Sequence, residues 1–197
     1  MSTRYGIEPS FADRHEALPR LVPVAREVAT ALGAELDLLL VRKIGAPGHE
    51  EFGIGAVAES QSKPQMVASP EVLAQMDAPA GYIEAEQARQ LAEIARRRLD
   101  WRGGRPPVPV KGRTCVVVDD GVATGNTARA AIRSLKLDGA ARIVLAVPVA
   151  PADVVESLAQ EVDQFVCLRT PEPFIAVGLH YRQFGQLGDE DVLRLLG

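Results

Sequence analysis

Cys115-Val116-Val117-Val118-Asp119-Asp120-Gly121-Val122-Ala123-Thr124-Gly125-Asn126-Thr127 passes from apolar to acidic to small and hydroxyl-bearing residues without a break. Four apolar residues with no polar alternation specify a strand buried on both faces. Two adjacent carboxylates at its carboxyl end repel each other and cost desolvation, so a compensating cation is expected nearby. The loop that follows, Gly121 to Thr127, lets backbone N–H groups converge where an alanine-rich helix begins, and a helix start favours an anion. Thr124 and Thr127 add hydroxyl donors. Acceptors for a diol thus stand beside a cradle for a phosphate, the shape of a ribose 5-phosphate. The same residues would also serve as a plain tight turn, with Asp120 and Gly121 as turn formers and Thr124 as a helix cap.

Working outward, residues 124–137 read as a helix, 142–147 as a strand, 152–160 as a helix and 164–168 as a strand. Upstream, 81–101 is the clearest helix, with Ala88, Leu91, Ala92, Ala95 and Leu99 on one face and charges opposite. A helix over 21–32 has Pro23 in its first turn and Gly33 as its stop. Residues 36–41 form an apolar run of strand length, closed by Arg42-Lys43 and the Gly45-Ala46-Pro47-Gly48 turn. Residues 52–58 and 65–68 read as two short strands that pair, and 102–111, rich in Gly and Pro, as a linker. Strands alternating with helices specify an α/β fold, a parallel sheet covered by helices on both faces, with ligands beyond the carboxyl ends of its strands.

The chain has 197 residues, 47% of them apolar and 24% charged, an ordinary globular balance that fits one domain. Its net charge of -4 argues against a chain-wide electrostatic grip on nucleic acid. Cys115 and Cys167 both fall in apolar runs and read as buried, reduced small hydrophobes, not as a disulfide or a metal site. No run is long enough to span a membrane, and the polar first twenty residues do not read as a signal peptide, so a cytoplasmic setting is expected. Gly53-Ile54-Gly55-Ala56-Val57-Ala58 matches a dinucleotide fingerprint only formally, because Ser60 to Pro64 stand where its helix should run. Arg96-Arg97-Arg98 reads as a solvated helix end.

The order strand, Asp119-Asp120, small residues, Thr124-Gly125, hydroxyl residue closely resembles the signature of type I phosphoribosyltransferases for 5-phosphoribosyl-1-pyrophosphate (PRPP). Together with Arg42-Lys43-Ile44-Gly45-Ala46-Pro47-Gly48, the chain from about Ala17 onward resembles a group of bacterial phosphoribosyltransferases of unassigned substrate. The resemblance implies that Asp119 and Asp120 take the ribose hydroxyls and help place Mg²⁺. It implies that Gly121, Val122, Ala123, Thr124, Gly125, Asn126 and Thr127 hold the 5-phosphate, and that Arg42 and Lys43 approach the pyrophosphate. Lys43 joins the two aspartates as a catalytic candidate, since a leaving pyrophosphate needs cationic stabilisation.

The implied reaction passes the phosphoribosyl group to a nitrogenous base. Relatives acting on 6-oxopurines carry an acidic residue immediately before the Thr-Gly, where this chain has Ala123, which disfavours those bases. Phe174 and Tyr181 are candidates to stack on the base, within a small hood formed by residues 169–197. Residues 1–17 read as an arm, residues 59–81, with Pro64, Pro70 and Pro79, as a lid, and a homodimer is implied. One departure stands out. Family members begin with an apolar strand and an Arg-Gly-Gly type turn that binds pyrophosphate, whereas this chain has Arg20-Leu21-Val22. Leu and Val tolerate positive φ poorly, so Arg20 would approach pyrophosphate without the usual turn. The alternative reading is therefore a non-catalytic PRPP sensor.

Overall fold

The computed structural model describes residues 18–68, 79–103 and 105–181. Helix α1 (Leu18–Leu32) is followed by β1 (Val41–Ala46), β2 (His49–Ala58) and β3 (Gln65–Ala68). Then come α2 (Tyr82–Arg102), β4 (Thr114–Val118), α3 (Asn126–Leu137), β5 (Arg142–Val149), α4 (Ala152–Ala159), β6 (Gln164–Arg169) and a short 3₁₀ turn (Val177–His180). The expected arm and residues 182–197 of the hood lie outside the described residues, as do residues 69–78 of the expected lid. The lid's residues 65–68 are strand β3, paired to β2.

The described strands form two sheets. β4, β5 and β6 run parallel, in the order 4-5-6, with Val116 opposite Val144 and Leu145 opposite Phe165. β1, β2 and β3 form a separate antiparallel sheet. Helix α3 lies between the two. Ala128, Ile132 and Leu135 join Ile143, Leu145, Val147 and Leu158 in the parallel-sheet core. Ala130, on another face of α3, meets Ala56, Ala58 and Val67 of the antiparallel sheet. Alternation along β2 then turns Val57 the other way, onto Leu38, Leu40, Ile94 and Trp101, so α2 covers the opposite face. Alanines on both sides of the α3 contact allow its axis to come close to the sheet. β6 departs from the expectation of cover on both faces, since Val166 and Leu168 are exposed.

Residues 36–40 correct the sequence reading. They are extended but belong to neither sheet, and the strand begins at Val41 and carries Arg42 and Lys43 within it. The Leu40 carbonyl still accepts the Glu59 N–H at 2.9 Å, but other backbone groups of this stretch find side chains in place of a ladder. Leu40 N–H donates to Glu59 Oε1 at 2.9 Å, and the Leu38 carbonyl accepts from Arg102. Arg102 also grips Glu59 with two bonds, Nη1 to Oε2 at 3.1 Å and Nη2 to Oε1 at 3.0 Å. Its Nε reaches Asp37 Oδ1 at 3.2 Å, and Asp37 Oδ2 accepts the Val108 N–H at 2.8 Å. The Ser134 hydroxyl donates to the Glu59 carbonyl, which draws α3 into the same buried cluster.

The arginine run on α2 is solvated only in part, since Arg96 and Arg98 are exposed and Arg97 is buried. Arg96 pairs with Glu93 and Asp100, and Arg97 pairs with Glu93 and stacks over Trp101 at 5.1 Å. The helix stops where Gly103, at φ 56°, returns its N–H to the Leu99 carbonyl.

Candidate functional site

The acidic pair sits where β4 ends. Asp119 N–H extends the parallel ladder to the Ala146 carbonyl at 3.2 Å, after which the chain leaves the sheet. Asp120 N–H turns back to Asp119 Oδ1 at 2.9 Å, and the Asp120 carbonyl accepts the Tyr181 hydroxyl. Both aspartates line one wide cleft with Gly121 to Gly125, Thr127 and Lys43. Burial first, and then the like charge of Asp120, raise the Asp119 carboxyl well above the ordinary carboxylate range, while Lys43 pulls it down. Tyr181 is pushed up by burial and by the same two charges, so it remains a neutral donor.

The loop is anchored before it opens. Val122 is buried, and its N–H is taken by the Val149 carbonyl at 3.0 Å, so it fixes the loop to the end of β5. Gly121 is needed for space. A Cβ there would lie 2.6 Å from Val177 Cγ1 and 3.0 Å from the Val149 carbonyl oxygen. Gly121→Ala is expected to cost about 1–3 kcal/mol through overpacking, roughly 2–4 °C of Tm per kcal/mol, and a thermal melt checks it.

Gly125, at φ 80°, stands immediately before α3, and no side chain caps that helix. The plain-turn reading with Thr124 as cap is thereby corrected: the opening N–H groups of α3 are left without a side-chain acceptor, and Thr124 is exposed in the cleft. Behind the loop, Arg129 extends its guanidinium to the Thr124 carbonyl at 3.0 Å, to Glu161 at 2.7 Å and to the Ser157 hydroxyl at 2.7 Å.

Arg42 and Lys43 are neighbours on a strand and so face opposite ways. Lys43 shares the side of Val41, toward α3 and Asp119. Arg42 turns to α2, where its Nε donates to Gln90 Oε1 at 3.0 Å. Arg20 lies within α1, so Arg20-Leu21-Val22 is helical and forms no turn; its side chain is outside the described set. Phe174 stacks on His180 with ring centroids 5.1 Å apart, and Tyr181 lies behind the aspartates. The cleft wall they were expected to form is supplied by Ile175 and Leu179, 75% and 59% exposed. Cys115 and Cys167 are free and half-buried, not fully buried as expected, and burial raises both thiols, which disfavours the reactive thiolate.

Two carboxylates, with no third His, Cys, Asp or Glu joining them among the described residues, do not form a closed metal cage. They suit Mg²⁺, which commonly keeps waters and takes one or two carboxylates plus substrate oxygens. The raised Asp119 is the charge strain a divalent cation would relieve. In metal-free protein Asp119 is neutral in the fold at a pH where it ionises when unfolded. Its contribution is fully present below the unfolded pKa and is lost as pH rises toward about 8. Asp119→Asn should therefore raise Tm by several degrees near about pH 9 and by little near about pH 4, as paired melts would show.

Comparisons with known proteins agree with this arrangement. Residues 20–181 match the family described as phosphoribosyl transferase domain. Two Mycobacterium tuberculosis proteins, each named "Putative phosphoribosyl transferase", are 43% identical over 175 residues. The match covers 89% of this chain and 39% of theirs, so the chain spans about two fifths of these relatives. The crystal structure of TT1426 from Thermus thermophilus is similar at 45% identity and a TM-score of 0.70, covering 89% of this chain and 81% of that one. No described helix is long and apolar enough to cross a membrane. An acidic pair ending a parallel strand, an uncapped helix start beyond it and a family match across most of the chain agree: the chain belongs to the phosphoribosyl transferase domain family.

Proposed function

We propose that the chain binds PRPP with Mg²⁺ and transfers its 5-phosphoribosyl group to a nitrogenous base, releasing pyrophosphate. The observation that carries this is the open start of α3, with uncapped N–H groups beside the Asp119-Asp120 pair in one cleft. Thr124, Gly125, Asn126 and Thr127 hold the 5-phosphate, and the aspartates accept the ribose hydroxyls. Mg²⁺ held at Asp119 and Asp120 supplies charge neutralisation for the leaving pyrophosphate. Lys43, on the cleft side of β1, adds a mobile cation there. The exposed Ile175 and Leu179 offer the base an apolar wall, and Ala123 offers it no proton acceptor, which favours bases other than 6-oxopurines.

Turnover then depends on orientation and exclusion of water more than on a strong general base. The test is calorimetric titration of PRPP with Mg²⁺ into the protein, followed by pyrophosphate release across a panel of bases. Binding and release establish the transferase; failure of the folded protein to bind PRPP overturns it. Lys43→Met should lower kcat by about 100-fold while weakening PRPP binding far less, because its charge matters most as the pyrophosphate departs. Equal kcat in variant and wild type removes Lys43 from the catalytic set.

One observation favours a second reading, a PRPP sensor without turnover. The helix across Arg20, Leu21 and Val22 replaces a pyrophosphate-binding turn. Binding without pyrophosphate release for any base selects it.

A further inference from the structure

The geometry points to Arg129 as a positioning residue of the phosphate cradle, a role that rests on the reading proposed above. Arg129 is the fourth residue of α3, and its N–H makes the first bond of the helix, to the Gly125 carbonyl at 2.8 Å. Its side chain folds back over Gly125. Three different acceptors on three segments receive it: the Thr124 carbonyl in the loop, Ser157 on α4 and Glu161 just beyond α4. The fork geometry of a guanidinium is what lets one side chain hold all three.

The consequence follows from the planarity of the peptide. In a trans unit the carbonyl and the next N–H point in opposite directions. With the Thr124 carbonyl turned outward to Arg129, the Gly125 N–H is turned away from Arg129, to the opposite side of the loop. Were that peptide to flip, the carbonyl oxygen would present negative charge where an anion must sit. Gly125 is the matching half of the device. A Cβ there would lie 2.8 Å from Arg129 Nη1 and 3.3 Å from Leu158 Cδ1, so the glycine serves both its left-handed φ and the passage of the guanidinium. Arg129 itself stands behind the loop and is not among the residues that line the cleft. Its charge is answered by Glu161, so it acts through the peptide.

The test separates this from general damage by using two ligands. Ribose 5-phosphate needs the cradle, whereas inorganic pyrophosphate with Mg²⁺ engages the aspartates and Lys43. Arg129→Met is expected to weaken ribose 5-phosphate binding by about tenfold or more and to change pyrophosphate binding by less than about twofold. Arg129→Lys, which reaches one acceptor at a time, falls between. Equal losses for both ligands, or no loss, overturn the inference while leaving the transferase reading intact. A wild type that binds neither ligand overturns both. Should the variants fold poorly, amide NMR of the wild type decides: the Gly125 resonance shifts on adding ribose 5-phosphate if its N–H faces the anion, and an unmoved resonance overturns the inference.

Discussion

Replacing both aspartates, Asp119→Asn with Asp120→Asn, is expected to weaken PRPP binding in the presence of Mg²⁺ by at least about 100-fold, on the order of 3 kcal/mol. The substitution keeps size and shape and removes both charges, so the cation and the ribose lose their anionic partners together. The backbone frame of the site should survive it. Asp119 N–H bonds to Ala146, and the Asp120 carbonyl accepts from Tyr181, neither through a carboxylate. An Asn at 119 also retains an oxygen for the Asp120 N–H. Loss of affinity with an unchanged or higher Tm in metal-free buffer is the expected pair of results in calorimetry and thermal melts. Undiminished affinity in a folded double variant would remove these residues from the site.

The second large effect is on stability, at the cluster that ties α2, α3, the end of β2 and residues 37–40 together. Arg102→Met takes away the cation that Glu59 and Asp37 share, and leaves Glu59 buried without its bidentate partner. Removing one member of such a pair costs about 3–5 kcal/mol, roughly 6–20 °C of Tm at this chain length. Adding Glu59→Gln to Arg102→Met should recover part of the loss, because a neutral amide can still accept the Leu40 N–H without leaving a buried charge. Urea unfolding of the wild type and the two variants measures both steps. A loss under about 1 kcal/mol for Arg102→Met would show that water reaches the cluster and screens it.

The parallel sheet was legible because its strands are continuous apolar runs and its helices are amphipathic, both local patterns. β4, Thr114–Val118, contains the apolar run 115–118 that reads as a strand in the sequence. The start of α3 was misplaced by two residues, since Thr124 is a good cap by type while left-handed Gly125 takes the cap position and the helix begins at Asn126. The displacement of β1 has a non-local cause. Asp37, Glu59 and Arg102, far apart in the chain, satisfy the backbone of residues 36–40, and no window of sequence contains all three. The partners of the two aromatic candidates were illegible for a related reason. Phe174 finds His180, and Tyr181 finds the Asp120 carbonyl, so the larger rings pack inward and aliphatic side chains are left facing the cleft. Arg129 carried no motif at all; its meaning depends on two acceptors contributed some thirty residues downstream, through the fold.

The opposed directions of Arg42 and Lys43 make the choice of cation a matter of phase. Strand pairing has a period of two, so sliding β1 by one residue against β2 would present Arg42 to the aspartates and send Lys43 to Gln90. The structure confines its irregularities to where they cannot do this. From Val41 to Ile44 the partners run in unbroken sequence, Ala58 to Gly55, and both register shifts fall after Ile44, between the site and the hairpin tip. Insertions or deletions at the tip can be absorbed in that irregular stretch, and the parity at Lys43 is preserved. The hairpin is free to vary in length while the identity of the charge it delivers stays fixed.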